Sequence, residues 1–441
     1  MRILLIGDGA REHIIAEQMA RSAEVYCIMK KKNPGIAKIT QKHFISDYKN
    51  IEAIGAWAIK EKIKLAFVVS ETAQATGLSD VLEAAGIALA SPNMAASVVG
   101  TNRLYAFNLM KEFGIDRPRF YICRSKADLD DAMEELDNPV VKPAIRVEWG
   151  GVKLADSDFK SKSAVKKYAT ELMKKHNAVI LEKLVIGEEF NLHALSDGRK
   201  ISTLQPVQVM RRAYEDGKGP LTEGMGSYST GKLLPFMTKD DLDHAKLILQ
   251  KIVDALRERG TEFKGVLNGQ FMLTKEGIKM LDVRTTFGNP ASINNLGILK
   301  TQFSEILSSI ADGNLKQPSL TNEATVVKYI VPKDYPEKTK KHKLIVSDRL
   351  LWNNGARCYY EDVSNEKGVL YSGSNRSLAV FASGKDIDEA QTRAEAASKF
   401  AVSGKVRHRR DIGKEEIILR KMTRMNKIRS FWLKIKNIIR K

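Results

Sequence analysis

Cysteine is scarce in this chain of 441 residues: Cys27, Cys123 and Cys358 are the whole complement, far apart and odd in number. That argues against a disulfide framework and against a thiolate metal site, and it fits the reducing cytoplasm. Long apolar runs are missing as well. The amino terminus offers only Ile3 to Ile6 before Gly7-Asp8-Gly9, and nothing approaches the ~18 residues needed to span a bilayer. A soluble, unprocessed, cytoplasmic protein is the expectation. The seven histidines are scattered, with no spacing that suggests a metal centre or a catalytic triad. There is no internal repeat and no low-complexity linker.

What is present suffices for a multi-domain enzyme. A hydrophobic fraction of 43% can fill real cores, and the length allows about three domains at ~150 residues each. Lys and Arg exceed Asp and Glu by 19, a charge that attracts nucleic acid, anionic lipid or phosphorylated small molecules. Part of it is local. From Lys414 to Lys441 ten basic residues face only Glu415 and Glu416, so the rest is an ordinary basic enzyme with no specific nucleic-acid partner expected. The lysine-rich stretch 338–343 has no aromatic residue interleaved and reads as a solvated loop.

Along the chain, short apolar runs alternate with helical patterns: Arg2 to Ile6, Val25 to Met29 and Leu65 to Val69 within the first hundred residues. Strands separated by helices predict a parallel α/β sheet over 1–100. A connecting helix from about Thr101 leads to a second α/β region over 101–318, with strands at Val140 to Lys142 and Ala178 to Glu182. A smaller third region over 319–413 opens on the strand Thr325 to Val331 and holds one helical segment, Asp386 to Phe400.

Three segments carry chemistry. Gly7 to His13 follows a strand and opens a helix, so small residues let backbone N–H groups approach a phosphate, and Arg11 adds a charged donor. A plain tight turn is the alternative. Gly219 to Ser229 has glycines that leave backbone amides open to an anionic substrate, unless it is only a mobile surface loop. Gly269 to Leu273 and Lys279 to Arg284 are strand-like runs joined by the turn Thr274 to Gly277. Alternation puts Asp282 and Arg284 on one face, and a hairpin brings Gln270 beside them. Oxygen ligands on adjacent strands suit Mg²⁺ beside nucleotide phosphates. An Asp282–Arg284 salt bridge is the plainer reading.

Together these residues resemble the glycinamide ribonucleotide synthetase family, its archaeal-type sequences in particular. The resemblance runs from Met1 to about Gly413 and is carried by Gly9 to His13, Asn33 to Ile36, Glu182 to Glu189, Gly224 to Ser229, Gly269 to Leu273, Phe287-Gly288 and Arg409 to Gly413. It implies an amino-terminal α/β domain, an ATP-grasp fold that clamps ATP between two subdomains, and a small carboxy-terminal domain. The implied reaction joins glycine to 5-phosphoribosylamine in purine biosynthesis, with ATP as co-substrate and Mg²⁺ or Mn²⁺ as metal. Residue by residue, the resemblance makes Lys142 the nucleotide-phosphate lysine, and Lys142 and Arg284 are the expected catalytic residues. Arg103, Glu182, Leu184 and Glu189 would bind ATP. Gly9, Arg11, Glu12, His13, Glu71, Gly224, Met225 and Gly226 would face the substrate, and Gln270 and Asp282 would hold metal.

Departures from the family pattern gather around phosphate and metal. A flexible glycine-rich loop is replaced by Ala144-Ile145-Arg146-Val147-Glu148-Trp149-Gly150-Gly151, and Glu-x-Asn by Asp282-Val283-Arg284. Asn289 stands for an Asp, Thr286 for an Arg, Glu223 for a Gly and Arg103 for a Lys, and the Asp-His usual after Gln208 is missing. Either Arg146 and Arg284 neutralise phosphate charge that a metal would otherwise carry, or catalysis is lost. Beyond Gly413, Ile418, Met422, Met425, Ile428, Trp432, Ile435 and Ile439 recur every three or four residues, one face of a helix. Basic flanks and Phe431-Trp432 suit an anionic membrane or a partner, and docking on the chain itself is the alternative. Three functions remain open: ligase, nucleotide-binding relative without turnover, and scaffold acting through the tail.

Overall fold

The computed structural model describes residues 1–439 apart from 147–150 and 338, and over 431–439 it describes the backbone alone. Val147, Glu148, Trp149 and Gly150 of the altered loop, Lys338, and the side chains of Phe431, Trp432, Ile435 and Ile439 therefore lie outside the described residues.

The amino-terminal sheet is five-stranded and parallel, ordered Lys42–Ile45, Glu24–Met29, Arg2–Ile6, Leu65–Val68, Ala88–Leu89. Its first strand is apolar at successive positions because both faces are covered. Ile3 and Leu5 pack into one core, Leu4 and Ile6 into another. The order of strands reverses at Arg2–Ile6, with the second strand on one side and Leu65–Val68 on the other. Ligands of open α/β sheets bind off the carboxyl ends at such a switch point. Gly7 to Glu12 and Ser70 to Thr72 leave from those two ends.

Two antiparallel sheets come next. The smaller runs Phe120–Cys123, Val179–Glu182, Val140–Pro143, Lys153–Leu154 and has a core of its own, including Cys123, Leu129, Val141, Val165 and Leu181. The larger runs Ile201–Thr203, Gly187–Asp197, Lys264–Thr274, Gly277–Arg284 and packs on the helix Lys239–Glu258, whose start is fixed by a capping box between Thr238 and Asp241. The hairpin expected at Thr274 to Gly277 is present. It sets Gln270 opposite Asp282, with a register shift between Gln270 and Phe271.

The carboxy-terminal region does not stand alone. Its strand Ala324–Pro332 pairs with Leu378–Gly384 on one side and, on the other, with Leu221–Ser229 from the middle of the chain. The glycine segment expected as an open loop is thus a strand. Gly226 is required there by close approach, since a Cβ would meet the Val327 carbonyl oxygen at 2.2 Å. Ordering this segment lets Met225 and Tyr228 fill the core completely.

Candidate active site

A cleft of about 2560 Å³ opens where the switch point of the first sheet meets both middle sheets and the carboxy-terminal region. Lys142 stands in its floor, 5% exposed. The strand Val140–Pro143 alternates inward and outward, which turns Val141 into the small core and Lys142 into the cleft. Its ammonium pairs with Glu182 and donates to the Leu281 carbonyl at 2.9 Å. Glu182 also accepts from Arg117 at 2.5 Å, and that guanidinium stacks on Phe107. Burial pushes the Lys142 pKa down, against the pull of Glu182. Both oxygens of Glu182 are thus engaged, and Lys183 and Leu184, which follow the strand, line the cleft.

Around Asp282 the charge is positive. Arg146 grips its carboxylate with both terminal nitrogens, at 2.7 and 2.6 Å, and Arg103 adds a bond of 3.1 Å. Burial alone would raise the Asp282 pKa, but Arg146 and Arg103 hold it well below the usual carboxylate range. Burial lowers Arg103 to about 10, so it remains charged at neutral pH. No Asp282–Arg284 bridge forms. Arg284 instead reaches Glu71 of the first domain at 3.0 Å. Glu189, beyond the hairpin, accepts from Arg211 at 2.7 Å and Gln270 at 2.8 Å through Oε1. Its Oε2 has no partner among the described residues and faces the cleft as an open acceptor.

On the substrate side the structure corrects several expectations. Arg11 does line the cleft, with donors on Glu12 at 2.6 Å, on the Phe287 carbonyl at 2.7 Å and on the Val69 carbonyl at 3.2 Å that also tie loops together. His13 does not line the cleft. Its Nδ1 accepts the Tyr360 N–H at 3.0 Å, and burial lowers its pKa to about 4, so it is a neutral structural link. Gly224, Met225 and Gly226 also stay off the lining, which their neighbours Leu221, Thr222 and Glu223 supply instead. Gly9 and Glu12 do line it, yet the helix start is already capped. The Gly9 N–H donates to Glu12 at 2.8 Å and the Ala10 N–H to Glu361 at 2.7 Å.

Glu361 and Arg376 escaped sequence reasoning. Glu361 further accepts from Asn289 at 3.0 Å, Tyr329 at 3.1 Å and Arg376 at 2.9 Å, and Arg376, wholly buried, also holds Glu223 at 3.1 Å. The only sequence signal is weak. An Arg two residues before the apolar run Leu378 to Ala382 is an unusual neighbour for a buried strand.

The tail helix Glu415–Ile439 docks on its own chain. Ile418 and Met425 are buried, and Met422 and Ile428 pack against the same core. Lys421 reaches Glu188 at 2.8 Å, Arg424 reaches it at 3.4 Å, and Arg429 meets Asp241 at 2.6 Å. These four apolar residues are therefore not a free face for a membrane. Deleting residues 414–441 should cost at least ~3 kcal/mol, from two buried apolar side chains and from Glu188 losing its cations. A thermal melt should show a midpoint lower by about 5 °C or more; an unchanged midpoint would contradict the docking.

Comparison with known proteins decides the family. The description "Phosphoribosylglycinamide synthetase, N domain" matches residues 1–99, "Phosphoribosylglycinamide synthetase, ATP-grasp (A) domain" residues 101–292, and "Phosphoribosylglycinamide synthetase, C domain" residues 325–415. This chain belongs to the phosphoribosylglycinamide synthetase family. Among family members, the phosphoribosylamine-glycine ligase of Methanothermobacter thermautotrophicus is 36% identical over 438 residues, covering 98% of this chain and all of that one. That of Methanocaldococcus jannaschii is 37% identical over 97% of this chain and all of its own. Alignments this long reach into the tail, so the expected end of the resemblance at Gly413 is too early. The crystal structure of the family's ligase from Thermotoga maritima superposes with a TM-score of 0.80 at 18% identity, over 93% of this chain and all of that one. A biotin carboxylase domain from Hydrogenobacter thermophilus, solved with ADP, its magnesium salt and bicarbonate, shares the fold at a TM-score of 0.70 and 14% identity, over 96% and 93% of the two chains. The ATP-grasp fold implies use of ATP. No described helix is long and apolar enough to cross a membrane.

Proposed function

We propose that the chain is a phosphoribosylamine-glycine ligase, working in the cytoplasm on glycine, 5-phosphoribosylamine and ATP. The Arg284–Glu71 ion pair of 3.0 Å carries this reading, because it joins the phosphate-side hairpin to the switch point of the amino-terminal sheet. Two substrates bound in those halves meet in one cleft. A glycine carboxylate oxygen attacks the γ-phosphorus of ATP, the bond to ADP breaks, and a poor leaving group becomes a good one. The amine of phosphoribosylamine then attacks the acyl carbon, phosphate departs, and the nitrogen loses a proton. Enclosure by both middle sheets keeps water from the acyl phosphate.

Lys142 would hold the nucleotide phosphates, Arg284 would stabilise the phosphoryl group in flight, and Glu189 would take the ribose hydroxyls. Glu71 and Glu12 would face the amine substrate. Mg²⁺ or Mn²⁺ at Gln270 and Asp282 is the family expectation, and the donor set does not fit it. Asp282 has both oxygens bound by guanidinium groups, and Gln270 turns its amide nitrogen to Glu189. ADP release from the purified chain should require glycine and phosphoribosylamine together. Release that ignores either amine or carboxylate co-substrate would refute the ligase.

A further inference from the structure

The floor of the cleft holds positive charge where a divalent cation would need oxygen. Mg²⁺ demands near-octahedral oxygen ligands and is held by one or two carboxylates besides phosphate. Asp282 is the carboxylate in place for that, and Arg146 and Arg103 occupy it with four hydrogen bonds. Arg146 is itself locked, donating to the Val283 carbonyl at 2.7 Å and to the Gly100 carbonyl at 2.5 Å. Among the described residues, no group of three or more His, Cys, Asp or Glu could hold a metal ion.

The cations do more than satisfy Asp282. Arg103, Arg117, Lys142, Arg146 and Arg284 face Glu71, Glu182 and Asp282 through the ion pairs of this floor. Five positive groups against three negative leave a net of two, the charge of one divalent ion. Arg284 also has donors to spare. Its side chain is 41% exposed in the cleft, and only Nη1 is engaged among the described residues. A guanidinium fork matches phosphate oxygens in two parallel bonds and needs no ligands of its own.

We infer that this site takes its nucleoside triphosphate as the metal-free polyanion, with Arg284 and the Arg103–Asp282–Arg146 cage standing where a divalent cation would otherwise sit. The inference rests on the ligase reading only for the identity of the nucleotide.

Calorimetric titration of the full chain with ATP, in excess EDTA and then in excess Mg²⁺, tests it directly. The dissociation constant in EDTA should be no more than about threefold above that in Mg²⁺. A larger loss in EDTA overturns the inference. The double variant R146M/R284M brings the net charge of the floor to zero. It should bind ATP at least about tenfold more weakly in EDTA and regain affinity with Mg²⁺; unaltered affinity in EDTA would show that the cage holds no phosphate. Glycine-dependent ADP release is measured alongside. Metal-free binding without turnover sinks the ligase reading and spares this inference, whereas turnover with Mg²⁺-dependent binding does the reverse.

Discussion

Lys142→Ala is expected to lower glycine-dependent ADP release by ~10²-fold or more, the scale on which a preorganised donor in a dry site stabilises transferring charge. Lys142 is the cation best placed for this. It is almost wholly buried, and its ammonium is aimed by Glu182 and the Leu281 carbonyl. The fold should survive, because Glu182 keeps its second partner, Arg117, at 2.5 Å. The loss should fall on kcat more than on KM, since the charge is needed most when the γ-phosphoryl group moves. Steady-state kinetics beside a circular dichroism spectrum decide the matter; a kcat within about threefold of wild type removes Lys142 from the mechanism.

Arg376→Met should do the greatest harm to stability, about 3–5 kcal/mol at neutral pH, the usual consequence of leaving a buried charge unpaired. Arg376 is fully buried and serves two carboxylates, Glu361 at 2.9 Å and Glu223 at 3.1 Å, with Tyr329 stacked against its guanidinium. In wild type, burial would raise Glu361, but Arg376 and the Ala10 N–H hold its pKa below normal. That depressed pKa contributes stability above the unfolded value near 4.5 and loses it as pH falls through the folded value. Without Arg376 the sign reverses. Burial then dominates, the folded pKa rises above the unfolded one, and the penalty is greatest at high pH and vanishes once the carboxyl is protonated. Denaturant melts from pH 8 to pH 4 should therefore show the gap between variant and wild type closing toward acid. A gap that is constant with pH would mean lost packing alone.

Where the chain departs from family pattern, structure explains some departures in pairs. Arg103, Arg146 and Asp282, three positions expected to depart from the family pattern, meet in one charge cluster. Asn289 in place of an aspartate donates to Glu361 and accepts from Tyr329 at 2.6 Å. An aspartate there would set a second carboxylate against Glu361. Glu223, in place of a glycine, supplies the other carboxylate on Arg376.

Sequence by itself determined the features that local geometry and period control. Continuous apolar runs marked the parallel strands, two-residue alternation and a glycine turn set Gln270 opposite Asp282, and ordered motifs identified the family. Such features depend on φ/ψ preferences and on spacing within a few residues, which a linear chain states openly. Only the tertiary structure decided who meets whom. Asp282 finds Arg103 and Arg146 at separations of 179 and 136 residues, Ala10 finds Glu361 at 351, and Glu188 finds Lys421 at 233. An arginine looks the same in sequence whether it awaits phosphate or is already spent on a carboxylate. His13 was misread for that reason: burial forces a polar group to take the partner that folding brings to it, and that partner, Tyr360, is 347 residues away along the chain.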